Sequence, residues 1–562
     1  MQLTWLDWSV IAAYFLINFA IGLYYRKRAG KSVSEFFLSG RNVPWWLAGT
    51  SMVATTFAAD TPLAVTGMVA RGGIAGNWLW WSFVASGMLT VFFYARLWRR
   101  SGVMTDIEFA EVRYSGKPAA FLRGFRALYL GIPINCIILG WVNLAMVEIL
   151  MLTLGVSRLQ ALAIVIGIIA ITSGISTMSG LWGVLVTDLL QFVVKMTMVT
   201  VLAFVAIHAV GGMERLKAKL PAAAFSFIPD LHSSWMPMIT FLVYISMNWW
   251  ATWYPGAEPG GGGYIAQRMF SAKDEKHSLL ATLWFNIAHY AIRPWPWVLV
   301  ALASLVLFPG LQNPETGYIR VMVAYLPASL RGLMLAAFAA AYMSTIATQL
   351  NWGASYVVND FYRRFLRPKA SEHHYVLISK WTTVLLTIVS AVVTFYLDSV
   401  AGAWKLLIVT GAGTGLVLLL RWFWWRINAW SEVSAMISAF VVSITLQTAG
   451  HLDSDKPVDF AWIMIITVAI TTAVWLAVTF LTKPESEETL HKFYARVRPA
   501  VSWYNLLDWF SGCALIYGIL FGTGKLLLSE WTTGFLLLGL GLAAGSVIWW
   551  DLGRRGWSSV VE

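Results

Sequence analysis

Apolar residues dominate the chain in repeated runs of about 20 residues, and short polar stretches separate the runs. A helix needs about 20 apolar residues to cross the hydrocarbon core of a bilayer, so this pattern predicts an all-α polytopic membrane protein. We predict about 15 membrane-spanning helices from the pattern. They lie near residues 4–25, 44–69, 75–97, 125–152, 159–178, 183–208, 235–254, 280–307, 328–356, 375–397, 402–420, 432–450, 459–482, 505–525 and 532–550.

The composition supports a membrane protein and excludes a soluble one. Of the 562 residues, 58% are hydrophobic and only 12% are charged, and the mean hydropathy is +0.67. A soluble chain of this length would need far more charge to cover its surface. Many of the 32 tryptophans lie near predicted helix ends, where indoles favour the membrane interface. The net charge of +12 falls in the loops of a membrane protein, so we expect a lipid bilayer and no nucleic acid as partner.

The basic residues collect in alternate loops, which predicts the orientation of the chain. The loops that we expect inside hold Arg26, Lys27, Arg28, Lys31, Arg41, Arg99, Arg100, Arg113, Lys117, Arg123, Arg268, Lys273, Lys276, Arg363, Arg364, Arg367, Lys369, Lys483, Lys492, Arg496 and Arg498. By the positive-inside rule, we expect the N-terminus outside the cell and the C-terminus in the cytoplasm. We expect a multi-pass protein of the inner or plasma membrane. The first residues lack a basic lead and a cleavage site, so we expect a retained helix there.

One predicted helix, at residues 328–356, combines small apolar residues with a polar cluster. The cluster comprises Ser344, Thr345, Thr348, Gln349 and Asn351. In hydrocarbon such groups must face protein, water or a ligand. Two interpretations remain: the hydroxyls bond to carbonyls of their own helix or hold helices together, or they bind a ligand.

Four segments resemble the sodium/solute symporter family, which includes sodium/galactose, sodium/proline and sodium/sialic-acid symporters. They are residues 45–60, 180–191, 267–273 and 332–351, in the order that the family has them. The resemblance implies a LeuT-like fold of two inverted five-helix repeats with extra N- and C-terminal helices. It divides the chain into an additional helix and loop (1–43), a first repeat (44–208), a second repeat (209–425) and accessory helices (426–562).

In such a fold the first helix of each repeat is broken near the membrane midplane, and the sequence has a helix breaker at each place. Asp60, Thr61 and Pro62 interrupt the second predicted helix, and Tyr254, Pro255 and Gly256 follow the seventh. Proline removes a donor and clashes with the preceding turn, which frees carbonyls. A simple proline kink is the alternative for Pro62. Paired interruptions, however, indicate a transport site.

The family resemblance also implies a sodium site. Its positions correspond here to the backbone carbonyls of Ala54, Phe57 and Ala341 and to the hydroxyls of Ser344 and Thr345. Oxygen ligands of this kind suit a small hard cation, and we expect Na⁺ as the coupling ion.

A second ion site or a release path is implied at Asp188 and Thr348. An intramembrane carboxylate is a functional candidate by default. The alternative is that Asp188 forms an ion pair with Lys195, seven residues later on the same helix face.

The solute site is less well defined by the sequence. Asn248 and Arg293 correspond to polar positions of the sodium/galactose symporter, and we add Asp60, Thr61, Trp81 and Trp249 as candidates. The resemblance would place a glutamate on the third helix and a glutamine on the second for a sugar, but this chain has the aromatic stretch 78–81 and Thr61 there, so a sugar substrate is in doubt. Asp60 and Arg293 either pair with each other or bind a carboxylate or zwitterion.

The sequence has no phosphate-binding loop, no Cys/His metal spacing and no nucleophile elbow, so we do not expect an enzyme. We expect a sodium-coupled symporter that imports a small organic solute, such as a sugar, an amino acid or a carboxylate, by alternating access, as a monomer. The alternatives are a proton-coupled transporter that uses Asp188 and Asp60, and a solute or ion sensor on the same scaffold.

Overall fold

The structure is a computed structural model that describes residues 3–29, 38–103, 105–176 and 180–557. In this part of the chain the backbone forms helices and loops, with two isolated β-bridges. The N-terminal basic loop is largely outside it, because Lys31 and the side chains of Arg26, Lys27 and Arg28 are not among the described residues.

The helices follow the predicted positions. Among the described residues, ten helices are long and apolar enough to span a membrane, or eleven if one bent pair counts as a single span, and four shorter apolar helices lie at the remaining predicted positions. The bounds are α1 Trp5–Ala29, α2 Trp45–Thr56, α3 Asp60–Gly72, α4 Ile74–Ser101, α5 Gly116–Leu154, α6 Arg158–Ser176, α7 Gly180–Val210, α8 Met238–Ala251, α9 Gly263–Ser271, α10 Glu275–Leu307, α11 Gly317–Tyr325, α12 Ala328–Leu366, α13 Glu372–Tyr396, α14 Val400–Thr410, α15 Thr414–Leu420, α16 Ala429–Thr448, α17 Pro457–Leu481, α18 Glu487–Val497, α19 Trp503–Leu527 and α20 Trp531–Arg555.

The predicted break in the second span is confirmed. Helices α2 and α3 meet at a bend of 62°. Phe57 ends α2, and Pro62 lies in the first turn of α3. A proline is tolerated in a first turn, because its missing N–H would have no partner inside the helix.

The predicted break after the seventh span is also confirmed, and it contacts another interruption that we did not predict. After α8 the backbone is irregular until α9 begins at Gly263. Its polar groups pair with the gap between α14 and α15: Gly413 N–H donates to Ala251 O (2.8 Å) and Trp253 N–H to Gly411 O (3.4 Å). The prediction of one continuous helix over 402–420 is therefore wrong.

The glycines at this gap explain why it can form. Gly413 has a left-handed φ of 88°, which side chains rarely adopt. A Cβ on Gly411 would lie 2.7 Å from Trp253 O, so only glycine allows the two backbones to approach. Irregular backbone at membrane depth requires such internal pairing.

Helix α7 contacts most of the helices that surround the break between α2 and α3. It packs against α1, α2, α10 and α12, and α2 also packs against α10. The extra N-terminal helix α1 is attached to α12 by a buried ion pair between Asp7 and Arg331 (2.8 Å). Near the C-terminus, α16 packs against α17 and α19 against α20. The division into repeats at 44–208 and 209–425 stays a prediction.

Candidate functional site

A cavity lies at the junction of the two broken helices, bounded also by α10 and α12. The space between its lining residues, with the open mouth included, is about 790 Å³. The lining consists of Thr55, Thr56, Ala58, Asp60, Thr61, Trp80, Phe83, Ile138, Trp141, Val142, Tyr254, Pro255, Gly256, Ala257, Tyr264, His289, Tyr290, Arg293, Thr345, Thr348, Gln349 and Trp404.

Aromatic rings form a continuous wall of this cavity. The ring of Tyr254 stacks on Phe83 with a centroid distance of 5.3 Å and lies parallel to Trp141 at 6.5 Å. The ring of Trp404 meets Tyr254 edge-on at 6.2 Å. Such rings offer a solute apolar faces at a low entropic cost, because the packed rings are already immobile.

Three predicted solute residues line the cavity: Asp60, Thr61 and Arg293. Arg293 is 1% exposed, and its Nη1 donates to Thr56 Oγ1 at 3.0 Å and to Val53 O at 3.3 Å. These bonds hold the guanidinium against the last turn of α2, beside the helix break.

Asp60 and Arg293 share the cavity without forming an ion pair within 4.0 Å in the described structure. Asp60 Oδ1 and Arg293 Nε are buried and have no hydrogen-bond partner among the described residues, while the Asp60 carboxyl group as a whole is also approached by the Trp404 indole and by backbone N–H groups of Asp60 and Thr61. A buried polar atom without a partner is costly, so each can gain a bond when a polar ligand binds. Ligand binding by these two residues stays a prediction.

The other three predicted solute residues lie outside the lining of this cavity. Trp81 is fully buried, with its ring 5.8 Å from that of Phe521. Asn248 donates to Leu79 O (3.1 Å) and to Ser82 Oγ (3.0 Å), which ties α8 to α4. Trp249 packs its ring on Trp509 at 5.5 Å.

Four residues of the cavity were missed or undervalued from the sequence. His289 lines the cavity with its Nδ1 at 3.1 Å from Thr56 Oγ1. Trp80, Tyr290 and Trp404 also line it. The π-helical turn Ile287–Ile292 puts both His289 and Tyr290 on the lining, and nothing in the sequence marks such a turn.

The carbonyls predicted to bind sodium lie at the break between α2 and α3. Ala54 O accepts from Phe57 N–H at 3.2 Å, and Phe57 has the non-helical φ and ψ of −91° and 64°. Both carbonyl oxygens also accept from the ammonium of Lys195 on α7: Nζ is 2.9 Å from Phe57 O and 3.4 Å from Ala54 O.

The remaining predicted sodium ligands lie on α12, which packs against α2. Thr345 and Thr348 line the cavity. Thr345 Oγ1 donates to Ala341 O at 2.9 Å, so its oxygen lone pairs stay available to accept or to ligate a cation. Ser344 is partly buried one residue earlier. The side chains of Ala347 and Asn351 lie outside the described residues.

Asp188 is held by residues other than Lys195. Ser51 Oγ donates to Asp188 Oδ2 at 2.6 Å, and the Arg268 guanidinium lies 3.8 Å from the same oxygen. Arg268 Nε also donates to Ser51 Oγ at 3.3 Å. No ion pair joins Asp188 to Lys195 within 4.0 Å in the described part, so the structure does not support the pairing that helical spacing suggested.

Comparison with known proteins identifies the family to which these helices and this cavity belong. The profile described as "SSF: Sodium:solute symporter family" matches residues 36–439, most of the chain. The chain belongs to the sodium:solute symporter family.

Several members of the family are similar to it over most of their length. The sodium/glucose cotransporter of Vibrio parahaemolyticus is 24% identical over 477 residues, covering 79% of this chain and 86% of the relative. The sodium/myo-inositol cotransporter 2 of Oryctolagus cuniculus is 24% identical over 539 residues, covering 86% and 78%. The substrate-bound, outward-open structure of a Na⁺-coupled sialic acid symporter has a TM-score of 0.67 at 20% identity, covering 86% of this chain and 99% of that one.

Family membership and fold together confirm the main expectations from the sequence. The protein is a multi-pass membrane transporter with a LeuT-like fold, and it is not an enzyme. It is a sodium-coupled symporter of a small-molecule solute, with Na⁺ as the coupling ion. The alternatives of proton coupling and of a sensor are not favoured.

Proposed function

We propose that this symporter imports a small zwitterionic or carboxylate-bearing organic solute through the cavity at the helix breaks. One observation carries the proposal: Asp60 and Arg293 line the same cavity, and each has a buried polar atom without a partner. A guanidinium is suited to a carboxylate, and the Asp60 carboxylate is suited to an ammonium or hydroxyl of the same solute.

A sugar or polyol is the second candidate, and the aromatic wall around Tyr254 favours it. Flat aromatic faces suit the C–H faces of sugar rings, and relatives of this chain are cotransporters of glucose and myo-inositol. The two candidates differ in net charge, so a ligand screen separates them.

The sodium that drives import is proposed to bind between α2 and α12. Its ligands would be the carbonyls of Ala54, Phe57 and Ala341 and the hydroxyls of Ser344 and Thr345. Five oxygens from a helix break and a facing helix fit a monovalent hard cation. Asp188 and Thr348 are proposed to serve ion release or a weaker second site.

We further propose a monomer, surrounded by lipid in the cell membrane, with the N-terminus outside and the C-terminus in the cytoplasm.

A thermal-unfolding screen of the purified protein tests the solute class. Amino acids, carboxylates and sugars are added singly, each in sodium chloride and in choline chloride at the same ionic strength. We expect a zwitterion or carboxylate to raise the unfolding midpoint in sodium, because a ligand that binds only the folded state stabilises it. Stabilisation by neutral sugars alone, unchanged in Arg293→Lys, would contradict the proposed class and favour the second candidate.

A further inference from the structure

Lys195 occupies an unusual position for a lysine in a membrane helix. It lies on α7, is 4% exposed, and its ammonium donates to Phe57 O and Ala54 O at the helix break. The same nitrogen lies 5.2 Å from the centre of the Phe57 ring. The contacts of the ammonium are therefore carbonyl oxygens and an aromatic face, which are typical partners of a desolvated cation.

The two carbonyls are the same ones that we assign to sodium. An ammonium and a sodium ion carry equal charge and use the same lone pairs, and two unit charges at contact distance repel strongly in a poorly hydrated site. We propose that Lys195 is a tethered cation that fills the sodium site when sodium is absent, so that sodium must displace its ammonium in order to bind. This inference rests on the sodium site proposed above.

The neighbouring charges favour displacement over sharing. The guanidinium of Arg293 lies 5.7 Å from the centre of the same Phe57 ring, so a sodium ion beside an undisplaced ammonium would be a third positive charge there. Asp188 lies two turns before Lys195 on the same face of α7, where it accepts from Ser51 and lies 3.8 Å from the Arg268 guanidinium. The four-carbon stem of lysine is flexible enough to move its ammonium away from the break towards that carboxylate.

A tethered cation also stabilises the carrier after sodium has been released from it. Carbonyls freed by a helix break are costly in an apolar environment unless a donor or an ion satisfies them. The Lys195 ammonium donates to Phe57 O and adds a second donor to Ala54 O, which also accepts from Phe57 N–H, and it does so without an ion. It therefore stabilises the sodium-free carrier, which must return to the outside before the next cycle.

The test is the sodium dependence of thermal unfolding of the full-length protein, measured without solute. Sodium chloride is titrated against choline chloride at fixed pH and ionic strength. The variants are Lys195→Met, which keeps the length but removes the charge, and Lys195→Arg, which keeps the charge. The matched control is Lys525→Met, which removes a partly buried lysine of α19 that pairs with Glu530, away from the break.

We expect Lys195→Met to lower the half-saturating sodium concentration at least about tenfold. In the unmodified protein the ammonium leaves the site vacant only part of the time, and the apparent dissociation constant for sodium rises by the inverse of that vacant fraction. Removing the ammonium removes this rise. Lys195→Arg and Lys525→Met should not lower it. A sodium response that appears only in Lys195→Met would also support the proposal. If Lys195→Met does not fold, Lys195→Gln replaces it, since its amide can still donate to one carbonyl.

An unchanged or raised sodium requirement in the neutral variants would overturn the proposal, and so would an equal gain in Lys195→Arg. Thr345→Ala separates this failure from failure of the sodium site. If Thr345→Ala weakens the sodium response while Lys195→Met leaves it unchanged, the sodium site is supported and the proposal for Lys195 is wrong. If neither variant changes it, both assignments fall.

Discussion

Two hydroxyl groups on α12 complete the proposed sodium site, and they are also where single substitutions test it. We expect Ser344→Ala and Thr345→Ala each to raise the sodium concentration for half-maximal uptake about tenfold, since a bond to a charged group contributes ~1.5–3 kcal/mol. Expression should change little, because alanine is a strong helix former.

A matched control for these variants is Thr382→Ala on α13. Thr382 is buried like Thr345, and its hydroxyl likewise donates to a carbonyl four residues earlier, Ile378 O at 2.9 Å. It should leave the sodium dependence unchanged. An unaltered requirement in both Ser344→Ala and Thr345→Ala would remove these hydroxyls from the site.

Arg293 is the residue on which the proposed solute class depends. We expect Arg293→Lys to weaken solute binding by about tenfold or more, measured by ligand-induced thermal shifts, because a point charge cannot replace a planar two-pronged donor. Lysine keeps the positive charge, so a loss of solute affinity in this variant is due to the geometry of the guanidinium and not to its charge.

The double variant Asp60→Asn/Arg293→Met tests whether the two residues pair. Because no ion pair joins them in the structure, we expect the two losses in unfolding free energy to add approximately. Recovery of stability in the double variant together with normal solute affinity would show a structural pair and exclude the ligand role.

At the scale of elements, the turn of α12 after the sodium ligands decides how many ions bind. Thr348 lies one turn beyond Ser344 on the same face and lines the cavity, while position 347 is alanine. We predict one tightly bound sodium, and therefore a Hill coefficient near one for sodium-driven uptake. A coefficient near two that falls to one in Thr348→Ala would show a second site built with Asp188.

The ion pair between α1 and α12 predicts that the extra N-terminal helix is firmly attached. Arg331→Met leaves Asp7 buried without its partner, which typically costs ~3–5 kcal/mol, so we expect a clear fall in the unfolding midpoint. Arg320→Met, which removes an exposed arginine on α11, is the control. Equal midpoints for both variants would mean that the pair does not hold α1 in place.

The sequence was sufficient for elements that depend on local patterns. Runs of apolar residues predicted the spans, and prolines 62 and 255 predicted the breaks, since both signals act through neighbouring residues. The gap at Gly411 could not be predicted in this way, because it exists through pairing with Ala251 and Trp253 on a distant segment.

The site shows the same division between local and distant causes. Spacing on α7 correctly placed Lys195 on the face of Asp188, but it could not show that carbonyls of another helix lie within its reach. Trp81 and Asn248 were predicted on the cavity, yet their side chains face packing contacts between helices. Burial alone does not distinguish a ligand contact from a helix contact in so apolar a chain.

For the whole molecule, the proposed sodium and solute sites meet at one junction, so binding at one would be coupled to binding at the other. The break between α2 and α3 carries the proposed sodium carbonyls on one side and Asp60 of the solute cavity on the other. A ligand bound at one side therefore stabilises the geometry of the other, which is the coupling that symport requires. Na⁺ supplies the energy through its gradient.

Accumulation of the solute in proteoliposomes tests this coupling most directly. The protein is reconstituted at one fixed pH on both sides, and an inward sodium gradient is compared with the same gradient of choline. We predict that the solute identified by the unfolding screen accumulates above its external concentration only with the sodium gradient. Accumulation that persists in choline and follows an imposed proton gradient would contradict sodium coupling.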